Sequence, residues 1–225
     1  MLDKKEWIEL LTKAKKGDGD AQSKVGDSYS DGLKNSIGET IVKKSDKRAF
    51  NWYSKSALQE NKDGLTCLAY CLSEGLGCQK NVQEAIKIYQ KAIKKGSSNS
   101  AFNLGTIYRD NGKFEKAFEY YSLAMTIDNS DYSLKVGLCY YYGIGISMDK
   151  QKAIEHFKKV SKDRLTLHND YEIDEANFYI GLSYLTGEGL TKSIPKAKKY
   201  LEMANKDKDH GTALELIFLI GRARQ

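Results

Sequence analysis

Ala176-Asn-Phe-Tyr-Ile180-Gly181-Leu-Ser-Tyr184-Leu-Thr186-Gly187-Glu188-Gly189 is the stretch whose reading decides the fold. An aliphatic residue, a small one next to it and a ring three positions further on have helical spacing, and two glycines one residue apart permit positive φ just after a helix. Four other segments keep the frame: Ala21 to Tyr29 around Val25-Gly26, Gly64 to Leu72 around Leu68-Ala69, Ser100 to Tyr108 around Leu104-Gly105, and Tyr132 to Tyr140 around Val136-Gly137. The anchors Val25, Leu68, Leu104, Val136 and Ile180 are separated by 43, 36, 32 and 44 residues. A period in this range is the mark of a helical repeat array.

Each segment is followed by a second helical pattern that sets small residues near rings: Ala49 with Trp52 and Tyr53, Ala85 with Tyr89, Ala117 with Tyr120 and Tyr121, Ala153 with Phe157, and Ala197 with Tyr200. Small residues let two helices approach closely and the ring fills the gap beside them, so the unit is a helical hairpin. Glu74-Gly75-Leu76-Gly77, Tyr142-Gly143-Ile144-Gly145 and Thr186-Gly187-Glu188-Gly189 read as its turns. A phosphate-cradling loop would need a strand before it, and these follow helical patterns.

The ends complete the pattern. Residues 3–16 resemble a second helix lacking its first, and residues 211–222 a first helix lacking its second; each is expected to cap the stack by covering an apolar face. The expected fold class is all-α, an α/α superhelix: a right-handed solenoid of about five helical hairpins plus capping helices, some twelve helices in all. The expected organisation is a single repeat domain over 1–225, with an N-terminal cap at 1–19, repeats at 20–63, 64–98, 99–130, 131–173 and 174–210, and a C-terminal cap at 211–225.

The pattern Ala-x3-aliphatic-Gly-x2-Tyr-x2-Gly-x-Gly, followed by Lys-Ala and an aromatic pair, resembles the Sel-one-like repeats (SLR), close relatives of tetratricopeptide repeats. The resemblance covers nearly all of the chain from Ala21 onward. Its specific element, Gly-x-Gly, stands in the second, fourth and fifth units, while the third, with its 32-residue step, looks like an ordinary tetratricopeptide repeat. The resemblance implies an adaptor whose concave side holds partner proteins; members serve in signalling, host interaction, secretion-linked complexes and, in some bacteria, neutralisation of effectors. A cysteine-rich branch of the family carries regularly repeated disulfide pairs, and Cys71 and Cys78 fit no such scheme.

Carrying the first-helix groove over from the family gives a candidate partner-binding set. It is acidic in the first two units, with Asp20, Ser23, Asp27, Asp31, Asp63, Thr66, Tyr70 and Glu74; the third contributes Arg109; and it is apolar and aromatic in the fourth and fifth, with Leu134, Leu138, Tyr141, Tyr142, Phe178, Leu182 and Leu185. Such a surface suits a peptide or helix with basic residues at one end and apolar anchors at the other. The competing reading is that Leu138, Phe178 and Leu182 pack between helices, whereas Tyr141 and Tyr142 are expected to be exposed because a hydroxyl tolerates water. Two longer stretches, 31–45 and 162–173, are either places where a partner is contacted or tolerated insertions.

The chemistry of an enzyme is missing at the level of motif. There is no His-Glu-x-x-His pair, Gly-x-Ser-x-Gly elbow or Walker-type loop, and His156, His168 and His210 stand far apart. Cys67, Cys71 and Cys78 offer three sulfurs without a fourth ligand at ordinary spacing, so buried reduced thiols are the expected state and no metal or cofactor is assigned. Net charge is +6, but Lys is spread along the chain and Arg is isolated, unlike a nucleic-acid surface. With no signal-type or membrane-length apolar run, the expectation is a cytoplasmic, monomeric, non-catalytic module that binds another protein or a peptide. An immunity protein that neutralises a bacterial effector is the specific alternative, and a hydrolase built from scattered residues the third.

Overall fold

The computed structural model describes residues 2–127, 132–162 and 169–222. Two compact units divide it, Met1–Leu104 and Gly105–Gln225, and the division falls inside a helix. The first unit holds α1 (Lys4–Lys15), α2 (Gly19–Asp31), α3 (Asp46–Leu58), α4 (Lys62–Glu74), α5 (Val82–Lys94) and the start of α6 (Ser98–Asp110), with a two-stranded antiparallel ribbon, β1 (Leu33–Lys34) and β2 (Thr40–Val42). The second holds α7 (Phe114–Ile127), α8 (Ser133–Tyr142), α9 (Lys150–Ser161), α10 (Asp170–Thr186), α11 (Ile194–Ala204) and α12 (Gly211–Arg222). Both are built from antiparallel hairpins: α2 packs on α3 and α4 on α5, then α8 on α9 and α10 on α11.

Close packing of a small residue against a ring, as read from the sequence, holds the first, third and fourth hairpins. A Cβ at Gly26 would run into the Tyr53 ring, one at Gly105 would lie 2.8 Å from Tyr121, one at Gly137 2.7 Å from Phe157, and one at Gly181 2.9 Å from Leu201. The alanines Ala85, Ala117, Ala153 and Ala197 are fully buried opposite, along with Tyr89, Tyr121 and Phe157. Leu201, rather than Tyr200, fills the fifth gap; Tyr200 lies half-buried and stacks on Tyr184.

One backbone hydrogen bond closes all five hairpins. The N–H of the residue before the second helix donates to the carbonyl four positions past the anchor: Ser45 to Tyr29 (2.7 Å), Asn81 to Leu72 (2.8 Å), Lys113 to Tyr108 (2.9 Å), Asp149 to Tyr140 (2.9 Å) and Ser193 to Tyr184 (2.8 Å). Because the closure is the same whatever lies between its ends, the loop between them is free to vary in length. Gly75, Gly143 and Gly187 end their first helices in the left-handed conformation, and the second glycine of each pair abuts an earlier second helix: Gly77 at Asp46, Gly145 at Phe114 and Gly189 at Lys150.

Two expectations change. The stretch 31–45, read as a longer loop, carries the ribbon, whose turn is organised by Asn35: its side-chain oxygen accepts from the N–H groups of Ile37 and Glu39. Val42 is buried with Trp7, Ala14, Ala21 and Val25, so the insertion is anchored in the first core. Of the stretch 162–173, residues 163–168 lie outside the described residues; its far end is helical, because Asn169 and Glu172 form a capping box that starts α10 early and gives it 17 residues.

Candidate partner-binding surface

The acidic set of the first unit converges. Asp20, Asp63 and Asn99 occupy the same place, the second residue of α2, α4 and α6, each following a side-chain cap at Asp18, Asn61 or Ser97. Carboxylates there are favoured by the exposed N–H groups of a helix start. With Ser23, Lys24, Asp27, Thr66 and Cys67 they line an open pocket of about 470 Å³. Thr66 Oγ1 lies 2.9 Å from both Ser97 Oγ and Ser100 Oγ, tying α4 to α6 beneath it.

Asp27 is the most constrained of these acids. Burial pushes its carboxyl above the ordinary range; a 2.9 Å hydrogen bond from the Tyr53 hydroxyl opposes this, and the charges of Asp31 and Asp63 add to the rise. Asp31, Glu74 and Tyr70 stand exposed on the same helices. Sequence reasoning missed Asn99 and Lys24; the first-turn position that Asn99 shares with Asp20 and Asp63 is the signal that would have found the former.

In the second unit the apolar set divides. Tyr142 is 54% exposed, as expected, but Tyr141 is 4% exposed, against expectation. The reason is its neighbours: Lys150 Nζ sits 3.3 Å from the ring centroid, and the rings of Tyr179 and Phe157 close on it at 5.0 and 5.9 Å. Lys150 is itself held by Glu188 at 3.3 Å, while the Tyr142 and Tyr179 hydroxyls meet at 3.0 Å. Leu134 is buried, and Leu138 and Leu182 are half-buried against the core that contains it, around Phe157 and Ile180. Phe178 and Leu185 pack against Leu201, Ala213 and Ile220. Leu138, Phe178 and Leu182 are thus packing residues between helices, the competing reading, and Leu134 and Leu185 pack in the same two cores. Arg109 is engaged by Asp110 at 2.8 Å.

The residues weighed for catalysis or metal are accounted for structurally. His156 stacks on Tyr140, and His210 caps α12 through Nδ1, stacks on Phe178 and faces Glu175 at 3.5 Å. His168 lies outside the described residues. Burial raises the thiols of Cys67 to about 12 and of Cys71 and Cys139 to about 11, and raises Cys78 as well, which disfavours the thiolates that a metal or a nucleophile needs. Among the described residues no group of His, Cys, Asp or Glu is placed to hold a metal ion, and no helix is long and apolar enough to cross a membrane.

Hairpins closed on a common carbonyl, with small residues against rings, define a helical repeat protein. The chain belongs to the Sel1 repeat family: the Sel1 repeat model matches residues 19–61, 67–97, 98–125, 131–162 and 174–209. Members of this family generally serve as protein-interaction scaffolds. The fold is similar to that of a protective antigen present in uropathogenic Escherichia coli strains and displaying an SLR fold, with 24% identity, a TM-score of 0.77, and coverage of 97% of this chain and 44% of that one. It is also similar to a Sel1 repeat protein from Oxalobacter formigenes (21% identity, TM-score 0.73, coverage 95% and 80%) and to one from Klebsiella pneumoniae subsp. pneumoniae (22%, 0.55, 96% and 99%). The chain thus spans less than half the length of the E. coli antigen. At these identities the likeness concerns the fold alone, and that fold is the all-α SLR solenoid.

Proposed function

We propose that the protein is a non-catalytic interaction module and that its acidic pocket receives a lysine or arginine side chain of a partner polypeptide. The observation that carries this reading is the convergence of Asp20, Asp27 and Asp63, three carboxylates from two helices, on one pocket that Lys24, Thr66 and Asn99 also line. A cation there restores to Asp27 the stabilisation that burial removes. Tyr70, exposed on α4 one turn past Thr66, offers an aromatic contact. We place its work in the reducing cytoplasm, a reading supported by four free cysteines held in protonated form by burial.

Selection of a displayed random-peptide library on the immobilised chain tests the proposal. The expected outcome is enrichment of Lys and Arg, with affinities that drop about tenfold in an Asp27→Asn, Asp63→Asn variant and fall with added salt. Peptides without basic enrichment, or peptides that bind the variant equally well, would overturn it.

A further inference from the structure

The last helix departs from the repeat frame at one position. His210 accepts from the Ala213 N–H just as Asp18 accepts from Ala21, Asn61 from Gly64 and Ser97 from Ser100. These caps align α12 with the other first helices and set Ile217 at the anchor position and Phe218 at the small position of Gly26, Ala69, Gly105, Gly137 and Gly181. At all four of the glycines even a single Cβ would press on the second helix. A second helix that brings a ring to that position, as α3, α7 and α9 do, would therefore collide with Phe218.

One face of α12 is nevertheless apolar and open. Ala213 and Ile220 are buried against Leu201 and Ala204, while Leu214, Phe218 and Leu219 are 53%, 60% and 58% exposed. With one face α12 covers apolar surface of α11, and with the other it presents apolar surface of its own. The stripe has acid at one end and base at the other: Glu215 and Arg222 are both exposed, and the Arg222 guanidinium lies 4.9 Å from the Phe218 ring centroid. Residues 215, 218, 219 and 222 follow the three-and-four spacing of a packed helix face.

That pattern is complementary to itself when reversed. In an antiparallel pair with a two-fold axis between positions 218 and 219, each Phe218 faces Leu219 of the other copy and each Glu215 faces Arg222 of the other copy. We propose that α12 docks on α12 of a second copy, giving a symmetric dimer in place of the monomer expected from the sequence. An isologous contact of this kind closes at two and leaves no free end. The face is small, so the dimer is weak and dilution dissociates it.

Sedimentation velocity of the full chain from low concentration up to about 200 μM tests this. The expected result is a reversible monomer–dimer equilibrium that saturates at two copies, weakened about tenfold or more by Phe218→Glu with the helical signal unchanged. Glu215→Arg alone weakens it, and the Glu215→Arg, Arg222→Glu exchange restores it, which only the reversed pairing predicts. A monomer throughout the range, growth beyond two copies, or an exchange that fails to restore dimerisation would each overturn the proposal.

Discussion

The Tyr53 hydroxyl donates a 2.9 Å hydrogen bond to Asp27 Oδ1, while the ring of the same residue fills the gap left by Gly26. One side chain of α3 thus closes the first hairpin and fixes a carboxylate at the surface pocket. Packing and candidate function meet in that pair, and its charge state is open to measurement.

Burial raises the Asp27 carboxyl above its ordinary 3.8, with Asp31 and Asp63 adding to the rise and Tyr53 and Lys24 opposing it. A carboxyl that holds its proton more tightly in the folded than in the unfolded chain contributes stability that is fully present below the unfolded value and is lost as pH rises through the folded one. Asp27→Asn keeps an acceptor for Tyr53 and cannot ionise. It is expected to be at least as stable as wild type at pH 7, with the advantage vanishing toward about pH 4. Urea denaturation of both proteins at the two pH values checks this, and a wild type clearly more stable at pH 7 would contradict it.

Adjacent tyrosines on α8 should respond very differently to the same change. Tyr141→Asp removes a buried ring enclosed by Lys150, Tyr179 and Phe157 and places a carboxylate near Glu188, which is expected to cost about 4 kcal/mol. Tyr142→Asp gives up an exposed hydroxyl contact with Tyr179 and should cost less than about 1 kcal/mol. Thermal melts of the two variants make the comparison, and equal losses would refute the packing described.

That pair also marks where the sequence stops being legible. Anchors such as Val136-Gly137 and partners such as Ala153 and Phe157 are visible because a hairpin core depends on spacings of a few residues within one unit. Tyr141 and Tyr142 differ only by one step around α8, and the first is buried by Lys150 and Phe157 of α9 together with Tyr179 on α10, a combination that no local pattern announces. The ribbon at 33–42 was hidden for another reason: the common closure on Tyr29 works at any loop length, so length alone did not say what the insertion formed. The acids of the pocket were legible one by one, but their convergence with Asn99 required the stacking of three first helices.

Thiol reactivity offers an independent check on the cores. With Cys67 raised to about 12 and Cys71 and Cys139 to about 11, only on the order of one thiol in a thousand or fewer is ionised at pH 8. Ellman's reagent is therefore expected to react slowly with the native chain, first at the half-buried Cys78, and quickly with all four cysteines once the chain is unfolded. Rapid native labelling of Cys67 would mean that α3 and α4 do not shield it as described.

Three glycine substitutions separate backbone conformation from close approach. Gly112 and Gly145 have nearly the same positive φ, +69° and +70°, but a Cβ at Gly112 meets nothing within 4 Å, whereas one at Gly145 would run into the Phe114 carbonyl. Left-handed strain alone should make Gly112→Ala cost about 1 kcal/mol. Gly145→Ala adds overlap with the start of α7, which cannot retreat without breaking its own packing, and should cost about 3 kcal/mol. Gly221, helical and open to solvent, should gain about 0.5 kcal/mol as alanine. If denaturation midpoints put Gly112→Ala and Gly145→Ala together, φ is the whole reason for the turn glycines; if they separate in this order, the second glycine of the Gly-x-Gly element is there because the preceding hairpin occupies the space a side chain would need.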